Sequence, residues 1–355
     1  MRIAILHDYF QFRGGGERLI TNLAAAIKAD VYTGFVNRSN AFDALRKLNV
    51  TEIARKSPAG LRTIYLMEKF RRLDLDYDFF IFSGTMCISA VHNHPNLLYL
   101  HTPPRHMYDL QDRFYKNTGM IGRLGLKMLH WYLYPRDQKY MRQFDVICPN
   151  SENVRNRVKM FYGQDLYNRC RVVYTGIETK KFYNRKGEFF LSTSRLDSLK
   201  RIDILINAFR QLPNETLFIT STGPEKARLK KLAEGYDNIK FLGVVSDEQL
   251  LDLYARCKAT ISANIDEDLG LSAIECQAAG KPAITVREGG FIETVVENKT
   301  GLFFEPDPGS LISAIKRFNK TKWNRNAIKK NAKKYDISVF VERIRQIIKE
   351  TANSK

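Results

Sequence analysis

Short apolar runs alternate along the chain with segments whose apolar residues recur at helical spacing. In the first half the apolar runs are RIAILHD, DVYTGF, DFFIFSG, NLLYLHT and FDVICPNS, and the helical segment ERLITNLAAAIKA follows the first of them. Strand-length runs that alternate with helical segments are typical of a parallel sheet covered by helices. The pattern predicts an α/β fold.

The same alternation begins again after residue 185. The new apolar runs are EFFLSTSR, TLFITSTG, IKFLGVV, ATISANI and PAITV, separated by the helical segments RIDILINAFRQL, EKARLKKLAEG, DEQLLDLYARC and SAIECQAAG. A connector with little apolar periodicity, residues 176–188, precedes them, and 355 residues suit two domains of about 150 to 180 residues. We predict two Rossmann-like domains, residues 1–180 and 186–335, which face each other across a cleft.

The last apolar pattern lies near the carboxyl terminus. In SVFVERIRQIIKE, four apolar residues fall at helical spacing: Phe340, Ile344, Ile347 and Ile348. A helix with one apolar face buries that face against another element. We predict a C-terminal helix within residues 336–355 that packs back on the N-terminal domain.

Composition and charge narrow the classes of partner. A formal charge of +19, from 57 Lys and Arg against 38 Asp and Glu, favours nucleic acid, an anionic membrane or phosphorylated substrates. No run reaches the ~18 apolar residues of a membrane span, and MRIAILHDYF is too short for a signal peptide, so we expect a cytoplasmic protein. Five cysteines without a CxxC pair argue against a disulfide framework or zinc site, and we expect them to be buried.

A run of glycines follows the first predicted strand. The sequence Arg13-Gly14-Gly15-Gly16 leads directly into the first predicted helix. Glycines permit close approach of the backbone, and the amides at a helix start attract phosphate. Gly15 and Gly16 are therefore candidate phosphate contacts, although a flexible turn would also explain the glycines.

The second half places charged residues after its strands, where open α/β sheets bind ligands. Arg195 and Lys200 lie between a predicted strand and the start of the next helix, a position that suits a diphosphate as well as a solvated surface. Glu267 follows the strand ATISANI. The next helix, which Gly280 would end, carries Glu275 inward, where a carboxylate would accept hydrogen bonds from sugar hydroxyls.

Taken in order, these motifs resemble those of family-4 glycosyltransferases of the GT-B fold, and the likeness extends over almost the whole chain. Glu267 and Glu275 match the family's E-x7-E pair, and Arg195 with Lys200 match its basic diphosphate pair. Gly15-Gly16 match its glycine loop. The resemblance implies that Glu275 binds the nucleotide ribose, that Glu267 lies near the donor hexose and that the two cations hold the pyrophosphate. It thereby implies a retaining transferase with a nucleotide-sugar donor.

Further segments match the same family. Asn150-Ser151-Glu152 and Thr222-Gly223-Pro224-Glu225 stand where it has NS and GxGPE segments. Gly223, together with Gly270 and Leu271 inside the E-x7-E pair, is therefore assigned to the donor site. At position 269 the family usually has Phe, whereas this chain has Leu269. The difference affects the expected detail of the sugar pocket and leaves the class of enzyme unchanged.

The segment HTPPRHMYD follows the predicted strand NLLYL at its ligand-facing end. It resembles HTPPRYMYD in bacterial and archaeal mannosyltransferases of polysaccharide assembly. The resemblance makes His101 a candidate catalytic residue in addition to Glu267. It also makes GDP-mannose the expected donor, with a UDP-sugar as the alternative. Arg105 and Tyr108 become candidate contacts to the acceptor, a hydroxyl of a growing, lipid-linked glycan.

Two DxD patterns occur in Asp74-Leu75-Asp76-Tyr77-Asp78, a motif that binds metal in other sugar transferases. These residues precede a predicted strand, at the end of the sheet opposite to the ligand end, and GT-B enzymes generally bind no metal through such a motif. Arg195 and Lys200 would neutralise the leaving diphosphate instead. We predict no metal and no cofactor besides the donor substrate.

Residues 113–142 carry seven Lys or Arg and one acidic residue, Asp137, among several aromatic residues. Two sets fall on roughly opposite faces of a helix: apolar Ile121, Leu124, Met128 and Tyr132, and basic Arg123, Lys127 and His130. One interpretation is contact with an anionic membrane through Arg123, Lys127 and Trp131, on the inner face of the cell membrane. The other is a helix packed on the domain with a solvated basic edge.

Other classes of protein fit the sequence less well. A nucleic-acid-binding protein is favoured by charge alone, without basic residues beside base-stacking aromatics on a recognisable fold, so we expect no nucleic-acid partner. A dinucleotide oxidoreductase is disfavoured because no GxGxxG follows either opening strand. A nucleotide-sugar epimerase of similar fold stays open, although it would need no acceptor surface.

Overall fold

The computed structural model describes residues 1–11, 14–38, 43–54, 62–116 and 119–353, with the side chains of residues 113, 114, 116 and 121 outside that description. The chain divides into two compact units. Unit 1 comprises Met1–Thr175 and Phe340–Lys355, and unit 2 comprises Gly176–Val339. Each unit has its own parallel sheet and its own hydrophobic core, which confirms the prediction of two Rossmann-like domains.

Unit 1 contains a six-stranded sheet in the order β3-β2-β1-β4-β5-β6. The strands are β1 (Ile3–His7), β2 (Asp30–Thr33), β3 (Val50–Glu52), β4 (Phe79–Ser83), β5 (Asn96–Leu100) and β6 (Val146–Pro149). The helices among the described residues before unit 2 are α1 (Gly15–Ile27), α2 (Arg62–Arg71), α3 (Gln111–Lys116), α4 (Met120–Met141), α5 (Glu152–Tyr162) and α6 (Gln164–Arg169).

Unit 2 repeats this order as β12-β11-β10-β7-β8-β9. Its strands are β7 (Phe189–Ser192), β8 (Leu217–Thr220), β9 (Ile239–Gly243), β10 (Cys257–Ser262), β11 (Ala283–Val286) and β12 (Gly301–Phe304). Its helices are α7 (Ile202–Phe209), α8 (Lys226–Leu232), α9 (Asp247–Arg256), α10 (Leu271–Ala278), α11 (Phe291–Thr294), α12 (Pro308–Lys320) and α13 (Arg325–Ala332).

The apolar runs form strands because they are buried on both faces. All residues of β1, β4 and β5 are buried, as expected for central strands of a parallel sheet whose two faces are covered by helices. The strand order reverses between β1 and β4 in unit 1 and between β7 and β10 in unit 2. Such a reversal is the point where open α/β sheets bind ligands, beyond the carboxyl ends of the strands.

Two edge strands lie outside the predicted runs. In β3, Thr51 and Glu52 are exposed, and β12 is a four-residue strand that begins at a glycine. Edge strands need no continuous apolar run, so the pattern does not reveal β3. The apolar run of β12, Leu302 to Phe304, is only three residues long and was not predicted. The five cysteines are buried and free of disulfides, as expected.

The last helix, α14 (Ile337–Ala352), buries an apolar face that includes Phe340, Ile344, Ile347 and Ile348. The Phe340 ring packs edge-to-face against the buried Tyr99 ring, with the two ring centres 5.2 Å apart. Arg345 donates to the Ala26 carbonyl oxygen at 2.7 Å. From Phe340 onward this helix therefore belongs to unit 1, although unit 2 separates it from the rest of unit 1 in the sequence.

We expect Phe340→Ala to lower the free energy of unfolding of unit 1 by about 3 to 5 kcal/mol, because it leaves a cavity against Tyr99. Val339→Ala is the matched control, since Val339 is 51% exposed. Urea unfolding followed by circular dichroism measures both. Equal effects of the two substitutions would show that α14 is not anchored through Phe340.

Candidate functional site

In unit 2, a predicted cation and a predicted carboxylate meet at the carboxyl ends of the strands. The Lys200 ammonium lies 2.7 Å from Glu267 Oε2, and the Asn264 amide donates to the same oxygen at 2.6 Å. Ser194 donates to Asn264 Oδ1 and fixes the amide orientation. Both charged side chains are about three-quarters buried, 25% and 22% exposed, so their attraction is only partly screened by water.

Arg195 lies on the same loop but does not join this ion pair. Its side chain is 69% exposed, and its Nε is 4.0 Å from Asp197 Oδ2. Asp197 accepts a hydrogen bond from the Leu199 amide, which holds the turn that ends at Lys200. Arg201, in the left-handed region at φ 46°, then leads into α7 and pairs with Glu288 at 2.8 Å.

The loop from Glu267 to Gly270 packs against two glycines that the sequence analysis missed. A Cβ at Gly289 would lie 2.5 Å from the Glu267 carbonyl oxygen, and one at Gly290 would lie 2.4 Å from that of Asp268. The Gly290 amide donates to the Glu267 carbonyl oxygen at 2.7 Å. The pair follows the strand PAITV, so the rule that glycines after a strand permit close approach would have found it.

Gly270 precedes α10 in the left-handed conformation, at φ 87°, and no side chain caps this helix start. A Cβ at this position would also lie 2.5 Å from the Phe291 ring. The first backbone amides of α10, from Leu271 onward, therefore have no capping side chain, and they follow the carboxyl end of β10. Leu269 is buried beside them, with 2% exposure.

Glu275 lies in the second turn of α10 and is partly buried. The Tyr254 hydroxyl donates to Glu275 Oε2 at 2.5 Å and lies 3.3 Å from Thr193 Oγ1. Burial, reinforced by the Glu275 charge, raises the pKa of Tyr254 well above its ordinary value, so this phenol stays a hydrogen-bond donor. Tyr254 was not predicted, because nothing near it in the sequence marks its contact with Glu275.

The loop that contains Gly223 is joined to the Arg195 loop by backbone hydrogen bonds. The Leu196 amide donates to the Thr222 carbonyl oxygen, and the Glu225 amide donates to the Leu196 carbonyl oxygen. A Cβ at Gly223 would lie 2.2 Å from that same oxygen. Segments after four strands of unit 2 thus lie together, and they carry the predicted residues Lys200, Gly223, Glu267, Gly270, Leu271 and Glu275.

In unit 1, the structure brings His101 beside the glycine loop. A Cβ at Gly16 would lie 3.5 Å from His101 Cε1, and Gly15 is the first residue of α1. Arg13 of this loop lies outside the described residues. Burial, with a smaller contribution from His7, lowers the pKa of His101 to about 4, so the imidazole is neutral near pH 7.

Ser83 determines which nitrogen of His101 carries the proton. Ser83 Oγ is fully buried and lies 2.9 Å from His101 Nε2, the one hydrogen-bond partner that the described residues offer it. If Nε2 carried the proton, the serine hydroxyl hydrogen would be buried without an acceptor, an unfavourable arrangement. Ser83 therefore donates, and the proton of neutral His101 resides on Nδ1.

Asp8, which was also missed, organises the loop that follows Ser83. Its carboxylate accepts hydrogen bonds from the backbone amides of Thr85, Met86 and Cys87 at 2.7 to 2.8 Å. These bonds fix the carboxyl end of β4 against that of β1. The signal in the sequence is an aspartate directly after the first apolar run.

The candidate acceptor residues already have partners within unit 1. Arg105 forms an ion pair with Asp109, with the closest atoms at 2.5 Å. The Tyr108 hydroxyl donates to Asp137 Oδ2 at 2.5 Å, and the Tyr162 hydroxyl donates to the same oxygen at 2.8 Å. Asp137 is 4% exposed, and burial raises its pKa. Tyr108 thus holds the HTPPR segment against α4.

Helix α4 packs through a different face from the apolar face predicted. Leu129, Leu133 and Tyr140 contact unit 1, whereas three apolar side chains are 63 to 79% exposed: Leu124, Met128 and Trp131. Tyr132, which was predicted to share the face of Leu124 and Met128, is instead partly buried. The side chain of Ile121 lies outside the described residues. The predicted membrane residues Arg123 and Lys127 are exposed.

The DxD residues lie at the amino end of β4. Asp76 pairs with Arg2 at 2.7 Å, and Asp78 accepts from the Arg2 backbone amide. Within the described part of the chain, no three His, Cys, Asp or Glu side chains lie close enough together to hold a metal ion. In the same residues, no helix is both long and apolar enough to cross a bilayer.

Solved structures share this two-unit architecture. The Anabaena protein HepE, solved in complex with UDP and glucose, aligns with a TM-score of 0.75 and 18% identity over 98% of this chain and 99% of that one. A sucrose-phosphate synthase from Thermosynechococcus elongatus aligns with a TM-score of 0.77 and 18% identity over all of both chains. These similarities, with the two Rossmann-like units, define the fold as GT-B.

Sequence comparison relates the chain to known glycosyltransferases. Residues 176–335 match the family model for glycosyl transferases group 1. An α-1,3/1,6-mannosyltransferase of Dictyostelium discoideum is 23% identical over 99% of this chain and 98% of its own length. The chain is therefore a glycosyltransferase of the GT-B fold: its residues 176–335 match glycosyl transferases of group 1, and the chain as a whole is similar to a mannosyltransferase.

Other relatives match over shorter stretches. A glycosyltransferase of Methanocaldococcus jannaschii is 26% identical over 54% of each chain. The GDP-mannose-dependent α-(1-6)-phosphatidylinositol monomannoside mannosyltransferase of Mycobacterium tuberculosis is 37% identical over 35% of this chain and 36% of its own. The matches thus span about half and about a third of these two relatives.

We expect 15N NMR at neutral pH to show His101 with a protonated Nδ1 and an unprotonated Nε2. The imidazolium signal should appear only as the pH approaches about 4. Ser83→Ala should shift the tautomer, because Nε2 loses its donor. Ser89→Ala is the control, since the Ser89 hydroxyl binds backbone carbonyls instead. An unchanged tautomer in Ser83→Ala would contradict the assignment.

Proposed function

We propose that this glycosyltransferase moves mannose from GDP-mannose to a hydroxyl of a growing, lipid-linked glycan, with retention at the anomeric carbon. The observation that carries the donor site is the Lys200–Glu267 pair, held by Asn264 at the carboxyl ends of the unit 2 strands. The cation and the uncapped amides of the helix start suit the diphosphate of a nucleotide sugar, and the carboxylate suits its hydroxyl groups.

The donor lies on unit 2 with its parts matched to particular groups. The pyrophosphate takes Lys200 and the exposed Arg195, together with the amides at Gly270 and Leu271. Glu275, oriented by the Tyr254 hydroxyl, accepts hydrogen bonds from the ribose hydroxyls. Glu267 faces the hexose. Gly223 allows its loop to approach that of Arg195. In unit 1, Gly15 and Gly16 are proposed as phosphate contacts of their own loop.

Mannose and guanosine are proposed from the relatives. The Mycobacterium tuberculosis relative is GDP-mannose-dependent, and the Dictyostelium discoideum relative is a mannosyltransferase. A UDP-sugar is the alternative, favoured by the UDP bound to HepE. A calorimetric screen of GDP-mannose, UDP-glucose, UDP-N-acetylglucosamine and the free nucleotides separates the two.

In the transfer step, the bond between the anomeric carbon and the diphosphate oxygen breaks. A bond to the acceptor oxygen forms on the same face of the sugar. The acceptor proton passes to the leaving phosphate oxygen, so no protein nucleophile is required. Lys200 and Arg195 stabilise the negative charge that develops on the diphosphate. Stabilisation of the reacting sugar is assigned to Glu267. His101, neutral with its proton on Nδ1, is assigned the role of a hydrogen-bond donor.

The acceptor lies on unit 1. Arg105 of the HTPPR segment is proposed to contact it, while Tyr108, bonded to Asp137, keeps that segment in place. A lipid-linked acceptor requires a membrane surface, and the exposed side chains of α4 suit one. Leu124, Met128 and Trp131 would enter the interface, and Arg123 and Lys127 would attract anionic lipid.

We therefore propose peripheral attachment to the inner face of the cell membrane. The excess positive charge is assigned to phosphates of the donor and of lipids, and no nucleic-acid partner is proposed. The exposed apolar side chains Leu124, Met128 and Trp131 together favour the acyl region of a bilayer.

We expect Lys200→Ala and Glu275→Ala each to weaken nucleotide-sugar binding by about 2 to 5 kcal/mol, because each removes a charged partner at a partly buried site. Isothermal titration calorimetry measures the affinity. Lys230→Ala on α8 removes the same charge from an exposed position of the same unit and should bind donor normally. Unchanged affinity in Lys200→Ala and Glu275→Ala would remove both residues from the donor site.

We further expect donor binding and donor turnover to persist in EDTA, because cationic side chains rather than a metal balance the diphosphate charge. Calorimetry and nucleotide release, each with EDTA and with added magnesium, provide the comparison. A strict requirement for the divalent ion would contradict this assignment of charge.

A further inference from the structure

A cavity of unit 1 lies between α2 and α4, away from the carboxyl edge of the sheet. Its volume is about 540 Å³, which is within the range of small-molecule sites. Arg71 lines it from α2, and Arg136 and Lys139 line it from α4, together with Tyr132 and Tyr140. We call it the α2–α4 pocket. Three cations thus converge on one cavity.

The acidic residue of the α2–α4 pocket offsets only the charge of Arg71 among these three cations. Glu68 accepts two hydrogen bonds from Arg71, both at 2.8 Å, and one from Arg72. These bonds lower the pKa of Glu68 to about 2, so its single charge is fixed and shared by two arginines. The pocket keeps a positive charge from Arg136 and Lys139.

Arg136 and Lys139 have hydrogen-bonding capacity to spare. The Arg136 guanidinium lies 3.6 Å from the centre of the Tyr132 ring and donates one N–H to the Tyr132 carbonyl oxygen. Lys139 has no hydrogen-bond or ion-pair partner among the described residues. The same holds for the hydroxyls of Tyr132 and Tyr140 within the described part of the chain. A cavity lined by donors, with its one carboxylate already engaged, selects an anion with several acceptor oxygens.

The α2–α4 pocket is continuous with the exposed apolar side chains of α4. Residues four apart lie one above the other on a helix, so Trp131, Pro135 and Lys139 form one row. Met128 and Tyr132 form the adjacent row. Trp131 is 79% exposed and Met128 is 64% exposed, while Pro135, Tyr132 and Lys139 line the pocket. An occupant of the pocket would therefore have an apolar surface directly beside its anionic part.

We propose that the α2–α4 pocket binds the phosphate group of an anionic membrane phospholipid. The exposed side chains Leu124, Met128 and Trp131 enter the acyl region beside it. A phosphate offers several oxygens to Arg136, Lys139 and the two tyrosine hydroxyls, whereas a carboxylate offers two. This inference rests on the membrane attachment proposed above and adds to it a site for one lipid class.

The test compares two kinds of phosphatidylcholine vesicle with equal surface charge, one carrying phosphatidic acid and the other oleate. We expect the full-length protein to bind the phosphatidic acid vesicles about tenfold more tightly, because charge-assisted hydrogen bonds in the pocket add to general attraction. Cosedimentation over a range of lipid concentrations measures both affinities. The double variant Arg136→Ala/Lys139→Ala should lose the preference.

The matched control is Arg123→Ala/Lys127→Ala, which removes the same charge from the same helix outside the pocket. It should weaken binding to both vesicles while the preference persists. The variant Leu124→Ser/Trp131→Ser should lose binding to both. Thermal unfolding and donor calorimetry should match wild type in all three variants, which shows that the units stay folded.

The outcomes separate the two proposals. Binding without a preference for phosphatidic acid, or a preference that survives Arg136→Ala/Lys139→Ala, overturns the phospholipid site and leaves membrane attachment intact. Absence of binding to either vesicle overturns both. If free glycerol 3-phosphate displaces the protein from phosphatidic acid vesicles at concentrations comparable to those of the lipid, the pocket is a soluble-phosphate site, which also overturns the proposal.

Discussion

Parallel hydrogen bonding in both sheets is the constraint on which the arrangement of the sites depends. Every strand of a parallel sheet ends at the same edge, so segments far apart in sequence are brought together there. In unit 2 this edge places Lys200, from the segment after β7, against Glu267, from the segment after β10. In unit 1 it places His101 beside Gly16. The parallel pairing that forms each sheet therefore also brings the candidate site residues together.

Much of the fold was predictable because central parallel strands are buried on both faces and appear as continuous apolar runs. The strand β3 was not, because pairing at an edge tolerates the exposed Thr51 and Glu52. Lys200, Glu267 and Glu275 could be predicted from ordered motifs. Their supporting residues could not, because hydrogen bonds such as that from Tyr254 to Glu275 join segments that only the folded chain brings together.

Helix α4 shows a second limit of sequence patterns. Apolar residues occur on most of its circumference, so periodicity alone does not decide which face is buried. Leu129 and Leu133 pack against unit 1, and the buried Asp137 is satisfied by two tyrosine hydroxyls from outside the helix. Leu124 and Met128 are left exposed as a consequence. Some apolar residues of α4 thus pack into the core of unit 1, whereas others lie on its surface.

The two tryptophans of the sequence lie in different units and in different surroundings. Trp323 is partly buried in unit 2, where its indole N–H meets the Phe318 carbonyl oxygen, whereas Trp131 is 79% exposed on α4. Indole emission shifts toward the blue when water is replaced by a less polar environment. Replacing Trp323 with phenylalanine would therefore leave an intrinsic fluorophore at the α4 surface, able to report the polarity that surrounds it without an attached dye.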